Sequence, residues 1–341
     1  CIRDRTYNVD AIYIGSSGYD GVDFSGKLFK LNTRDGAIPQ ADPTLWDMSV
    51  LFDSDRPITA APAVSVDILD NVWVMFGTGR FQEMSDRTTT HQNYLYGLKD
   101  PYFNSQYDQT DDLGNSNPQY NGRGDFYHDN SQSLTLTRSD LFYSNPYEAY
   151  DTVGTIAPQS GAQRTDIASW DSLLQVVRNT DTDSDYYDGW YRELDPPAMV
   201  GDASERIISK PAILSGILFT PVYIPDSDLC GFGGSADTYG VYFESGTPNF
   251  RHIFYSTTNA PNTVVSYRGE KMLNAGPPPP TVSVHIGRES GAKLFTQTGT
   301  GPVLETSVSI DDIKSDIEFW GELDTWTDLD PNATSTFNSG P

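Results

Sequence analysis

Cysteine is nearly absent: the 341 residues hold two, Cys1 and Cys230. A fold stapled by several disulfides is excluded. The two could pair with each other in an oxidising compartment, or each with a residue outside this chain. Histidine is almost as scarce. His91, His128, His252 and His285 lie far apart, with neither HExxH nor HxH spacing for zinc. No GxSxG elbow and no GxxxxGK[ST] loop occurs, and neither cysteine has a neighbouring histidine to activate it. These absences argue against an enzyme. No apolar run approaches the roughly 20 residues that cross a bilayer, and no signal peptide is present.

Positive charge is the other shortage. Lys and Arg number 22 against 47 Asp and Glu, a formal charge of −25. Such a surface repels nucleic acid and anionic lipid headgroups and suits divalent cations. Tyrosine (20) and glycine (29) are plentiful and lysine is sparse, which fits an exported bacterial surface protein. The first residue is Cys1, as expected of a processed chain or of a fragment whose N-terminal part is missing.

What is present is punctuated β-structure. From Glu205 to Gly246 the chain predicts three strands: Ala212–Leu214 closed by Ser215-Gly216, an alternating run Ile217–Tyr223, and Tyr239–Phe243 after the glycines 231, 233 and 234. Strand, tight turn, strand, glycine-rich crossover, strand is the layout of a propeller blade or of an antiparallel meander. Upstream, Val9–Ile14, Lys27–Asn32, Asn71–Gly77 and Tyr94–Asp100 also read as strands, each apolar and each stopped by Gly, Asp or Asn. Residues 101–160 are polar, aromatic and glycine-studded, as expected of a long insertion. Thr165–Val177 predicts a helix, with Thr165 or Asp166 as its cap. Further strands are expected at 250–255 and 263–267 and, after the polyproline spacer 277–280, at 281–285, 293–297, 303–310 and 317–320.

The order PITAAPAV, WVMFGTGRF, LYGLKD, GWYREL and ERIISKP, followed by a strand-Cys-Gly-Gly-strand element, resembles the C-terminal propeller domain of PilY/PilC-type proteins of bacterial type IV pili, from about Asp10 to about Leu323. The resemblance implies an all-β fold, a modified β-propeller with long loop insertions and one or two short helices. The expected organisation is one domain over 1–325, with the insertion 101–160 and a flexible tail at 326–341. It further implies a pilus-tip adhesin and biogenesis factor at the cell surface, with minor pilins and a host or abiotic surface as partners. The competing reading is a secreted propeller enzyme of the quinoprotein type, or a carbohydrate-binding surface protein using Tyr- and Trp-rich loops.

The sharpest chemical signal is the acidic run at 179–189. Asp181, Asp183 and Asp185 repeat the spacing by which a looped backbone aims alternate carboxylates at one hard cation, with Asp188 close by. The resemblance implies Ca2+ here. Tyr186 stands where an EF-hand loop needs glycine, and Arg192 where it needs Glu, two departures from the EF-hand pattern that weaken the reading. Asp108, Asp111, Asp112 and Asn115 form a looser acidic group, and Asp20 with Asp23 a third. Arg123, Gly124 and Asp125 spell the tripeptide read by integrins, a binding candidate although three letters recur by chance.

Overall fold

In Lys27–Asn32, KLFKLN, side chains alternate between exposed or half-buried and buried, the period of a pleated strand with one face on a core. It pairs antiparallel with Val9–Gly15 on one side and Asp47–Asp53 on the other, and Ile2–Arg3 extends this first sheet to four strands. The computed structural model of the chain describes residues 2–3, 9–35, 38–39, 42–69, 71–104, 135–151, 154–181, 186–197, 202–226, 233–254, 263–269, 272–273, 279–287, 291–297 and 303–309. All of these belong to one unit that ends at Ser309.

The second sheet runs Phe142–Tyr143, Gly189–Glu193, Tyr94–Asn104, Asn71–Gly77, Ala63–Val66. All neighbours are antiparallel except the short parallel edge Phe142–Tyr143. Every residue of Asn71–Gly77 is buried, because this sheet is covered on both sides. Val72, Val74 and Phe76 meet Tyr13, Leu28 and Phe52 of the first sheet. Trp73 and Met75, of opposite parity, enter a core shared with Leu218, Val222, Tyr239 and Val241 of the third sheet. That third sheet, Ala212–Leu214, Ile217–Pro225, Gly234–Tyr242 and Met272–Leu273, is antiparallel throughout; it holds the three expected strands, the third starting at Gly234 and not at Tyr239, and adds Met272–Leu273. Its first turn is tight, with Ser215 and Gly216 both at positive φ, 48° and 79°, the geometry whose twist matches a hairpin. A fourth sheet, Ser283–Gly287, Gly291–Gln297 and Val303–Val308, completes the described part.

The fold is therefore all-β, with short helical turns and an α-helix at Trp170–Val177. The expected helix start at Thr165 or Asp166 is corrected. Ser169 is the cap and accepts from the Ser172 amide, while Asp166 is taken by the Arg164 guanidinium. Ile167 precedes the helix yet is fully buried, so its apolar character belongs to the core contact of an extended lead-in.

The described residues of 101–160 are less loop-like than their composition suggests. Phe142–Tyr143 joins the second sheet, and Tyr147–Tyr150 pairs with Thr155–Pro158 as a hairpin. Leu136, Leu141, Phe142, Tyr147, Ala149 and Ile156 are all buried. Polar residues between these positions hide a spacing set by core contacts. The expected strand at 250–255 is also not formed within its described part, where Phe254 makes one bridge to Val308. The expected strand at 317–320 and the tail at 326–341 lie outside the described residues.

A lysine and an aspartate join the first two sheets. Lys30 Nζ lies 2.7 Å from Asp100 Oδ2, with side-chain exposures of 1% and 0%. The Tyr13 hydroxyl donates to the same carboxylate oxygen at 2.6 Å, and burial with that charge alongside raises the Tyr13 pKa.

Candidate functional site

The acidic loop follows directly on the helix Trp170–Val177. Asn179, at positive φ, closes it: its Oδ1 accepts from the Tyr187 amide at 2.9 Å and its Nδ2 donates to the Tyr187 carbonyl at 3.1 Å. Asp181 is nearly buried, and its Oδ2 receives Arg164 Nη1 at 3.0 Å. Asp188 is buried where the loop re-enters the second sheet, its amide bonded to the Asp140 carbonyl and its own carbonyl to the Lys99 amide. Lys99 donates from Nζ to the Val177 carbonyl at 3.0 Å. Burial pulls its pKa down to about 8, against the opposing pull of Asp188, Asp67 and Glu244.

The two described members of the candidate cation set therefore stand beside cations of the chain itself. Among the described residues no group of three or more His, Cys, Asp or Glu side chains is placed to hold a metal ion. Asp181 and Asp188 do not by themselves fit a calcium ion, which prefers six to eight oxygen ligands. Asp183 and Asp185 lie outside the described residues. So do Arg123, Gly124 and Asp125, the group Asp108, Asp111, Asp112 and Asn115, and both cysteines. Asp20 and Asp23 do not form a cage either. Asp20 Oδ1 accepts the amides of Val22 and Asp23, both at 2.8 Å, which holds its carboxyl below the usual range. Asp23 turns to Arg56 instead, at 3.0 Å.

That Arg56–Asp23 pair stands at a cavity of about 190 Å3, lined also by Phe24, Arg80, His91 and Arg206. The GTGR segment shapes it. Gly79 has φ 138°, and a Cβ there would overlap Arg206, so only glycine lets the two segments meet. Ile207 then donates its amide to the Thr78 carbonyl at 2.9 Å. Arg80 lies with its guanidinium carbon 3.3 Å from the centre of the Phe24 ring and pairs with Asp86 at 2.9 Å and Glu83 at 3.1 Å. The sequence reading singled out GTGR and Asp23 separately. It missed Arg56 and His91, which belong to no motif and meet only through the fold.

A second charged cluster gathers three carboxylates around one guanidinium. Arg268 reaches Asp195 at 2.6 Å, Glu205 at 2.9 Å and Asp237 at 3.1 Å. Tyr239 donates its hydroxyl to the far oxygen of Glu205 at 2.5 Å. Burial pushes Asp237 up to about 6 in spite of the arginine.

No protein-family profile matches the chain, and no curated protein matches it. Among solved structures, the chain is similar to the crystal structure of the Pseudomonas aeruginosa PilY1 C-terminal domain, with 14% identity and a TM-score of 0.48. The match covers 86% of this chain and 60% of the solved one, so the chain spans under two thirds of that structure's length.

The segments that carry the sequence resemblance meet in space. LYGLKD and GWYREL are adjacent strands with Gly97 opposite Trp190, and a Cβ on Gly97 would overlap the indole. Trp190 Nε1 donates to the Phe243 carbonyl at 2.7 Å. GTGR meets ERIISKP through Gly79 and Arg206. Gly97, Trp190, Gly79 and Arg206 thus pack where the second and third sheets meet.

Proposed function

We propose that this chain is a propeller-type interaction module of a type IV pilus-associated protein, exported and acting at the cell surface as a tip-located adhesin and biogenesis factor. The ordered set PITAAPAV, WVMFGTGRF, LYGLKD, GWYREL and ERIISKP carries the reading, because such a set, interlocked through glycine contacts, is more specific than any of its pieces. The proposed partners are minor pilins and an external surface. Arg123, Gly124 and Asp125 enter this reading as a candidate contact for such a surface.

The outer face of the first sheet supports a binding role over a catalytic one. Cross-strand partners share a face, so Ile12, Leu31 and Met48 make one row and Ile14, Phe29 and Val50 the next. None of the six is buried, and Ile14 and Met48 are 47% and 66% exposed. An apolar row of this kind on a surface sheet marks a contact area. Deleting the coding region in the source bacterium tests the function: loss of surface pili and of twitching supports it, and intact pili with normal twitching refute it.

Calcium modulation is proposed through Asp183 and Asp185, with Asp181 and Asp188 committed to contacts within the chain. Calorimetry on the full chain and on the Asp183→Ala, Asp185→Ala variant checks this. Saturable calcium binding that the variant loses supports it, and an unchanged titration removes the loop from the account.

A further inference from the structure

The cavity beside GTGR has the chemistry of a carboxylate receptor. On a chain of charge −25, its wall collects Arg56, Arg80, Arg206 and His91 against the carboxylates Asp23 and Asp86. Arg80 is neutralised by Asp86 and Glu83. Arg206 is not. It is fully buried and donates to the carbonyls of Arg80 and Asp86 at 2.8 and 2.7 Å and to those of Ser204 and Thr89. Carbonyl dipoles hold it in place, and among the described residues no carboxylate comes within ion-pair distance. The Asp86 charge nonetheless acts on it through space, so the group open to an added carboxylate is Arg56.

The mouth already displays the binding geometry. Asp23 sits with one oxygen 3.0 Å from Arg56 Nη1 and the other 3.4 Å from His91 Nδ1. This carboxylate comes from the exposed loop Asp20–Asp23 and is itself 39% exposed. It is also held by the Phe24 amide, which donates to Oδ1 at 2.7 Å, so an incoming carboxylate displaces a weak, half-exposed ion pair together with that hydrogen bond. Arg56 engages it through Nη1, while its Nε and Nη2 make no contact among the described residues. A carboxylate able to approach both terminal nitrogens gains the bidentate geometry that Asp23 does not use. Ser85, Thr89 and Asn93 supply polar lining for hydroxyl groups, and the volume is below that of drug-sized pockets.

We propose that this cavity binds the carboxylate of a small acidic ligand, a single acidic sugar unit being the class that fits its size and its polar wall. Arg56 and His91 hold the carboxylate, Asp23 is the internal competitor that leaves, and the hydroxyls face Ser85, Thr89 and Asn93. The proposal stands apart from pilus association and holds or fails without it.

Calorimetric titration of the full chain with D-glucuronate, and with D-glucose as the neutral control, tests it. Saturable binding of glucuronate is expected, with glucose at least about tenfold weaker, the worth of one charge-assisted contact. Asp23→Asn removes the competitor and tightens glucuronate several-fold. Arg56→Gln weakens it by about tenfold, at an unfolding midpoint matching the parent chain. Absence of saturable binding in both the parent and Asp23→Asn overturns the proposal. So does glucose binding as tightly as glucuronate, or a glucuronate affinity that Arg56→Gln leaves unchanged. Should Arg56→Gln fail to fold, the Asp23→Asn result and the glucose control decide alone.

Discussion

The Lys30–Asp100 pair allows the sharpest test of how the first two sheets are held together. Both side chains are excluded from water, 2.7 Å apart, with the Tyr13 hydroxyl on the same carboxylate. Asp100→Ala leaves a lysine ammonium buried without that partner, a loss expected to cost about 3–5 kcal/mol. The whole domain is stable by only about 5–15 kcal/mol, so the variant unfolds at a much lower urea concentration. Replacing both partners, Lys30→Met with Asp100→Leu, removes the charges together and leaves chiefly the Tyr13 hydroxyl without its acceptor, a cost of about 1–3 kcal/mol. The double variant is therefore expected to be more stable than Asp100→Ala alone. Urea unfolding followed by tryptophan fluorescence, on the parent, Asp100→Ala, Lys30→Met, Asp100→Leu and the Lys30→Met, Asp100→Leu double, gives the coupling energy from the last three with the parent. A cost below about 1 kcal/mol for Asp100→Ala, or a double variant as unstable as the sum of the singles, refutes the reasoning.

Two further outcomes follow from the same geometry. Asp237 titrates at about 6 in the fold against its ordinary 3.8, so the folded state binds this proton more tightly than the unfolded chain. Its stabilising contribution is complete below pH 3.8 and is lost as pH rises to about 6, a fall of at most about 3 kcal/mol. Urea midpoints from pH 4 to 7 should show this decline in the parent and lose it in Asp237→Asn; parallel curves contradict the assignment. Gly97→Ala places a methyl group against the Trp190 indole and is expected to destabilise by about 1–3 kcal/mol as overpacking, read as a lowered urea midpoint. An unchanged midpoint would show that the indole moves aside freely.

The strands were legible wherever side chains alternate or an apolar run stops at a turn residue, as in Lys27–Asn32 and Asn71–Gly77. The antiparallel strands at 212–242 were legible through Ser215-Gly216 and the alternating second strand. The helix start was misread because Ile167, on the periodic stripe, serves a buried extended segment instead. Residues 135–158 looked irregular because their strands are two and four residues long, too short to establish a period. The acidic spacing at 181–185 was visible, but the Arg164 partner of Asp181 was not, since a salt bridge across 17 positions leaves no local pattern. The same holds for Arg56 and His91, brought to Asp23 from 33 and 68 positions away only by sheet packing.

Binding of minor pilins by the purified chain tests the central claim most directly. The minor pilins of the source bacterium would be immobilised and challenged with the parent chain and with a variant carrying Ile14→Glu and Met48→Glu on the outer face of the first sheet. The account predicts saturable binding by the parent and a loss of at least about tenfold, or about 1.4 kcal/mol, in a variant whose unfolding midpoint is unchanged. No binding by the parent chain to any minor pilin would contradict the pilus reading, and equal binding by the variant would remove the first sheet from it.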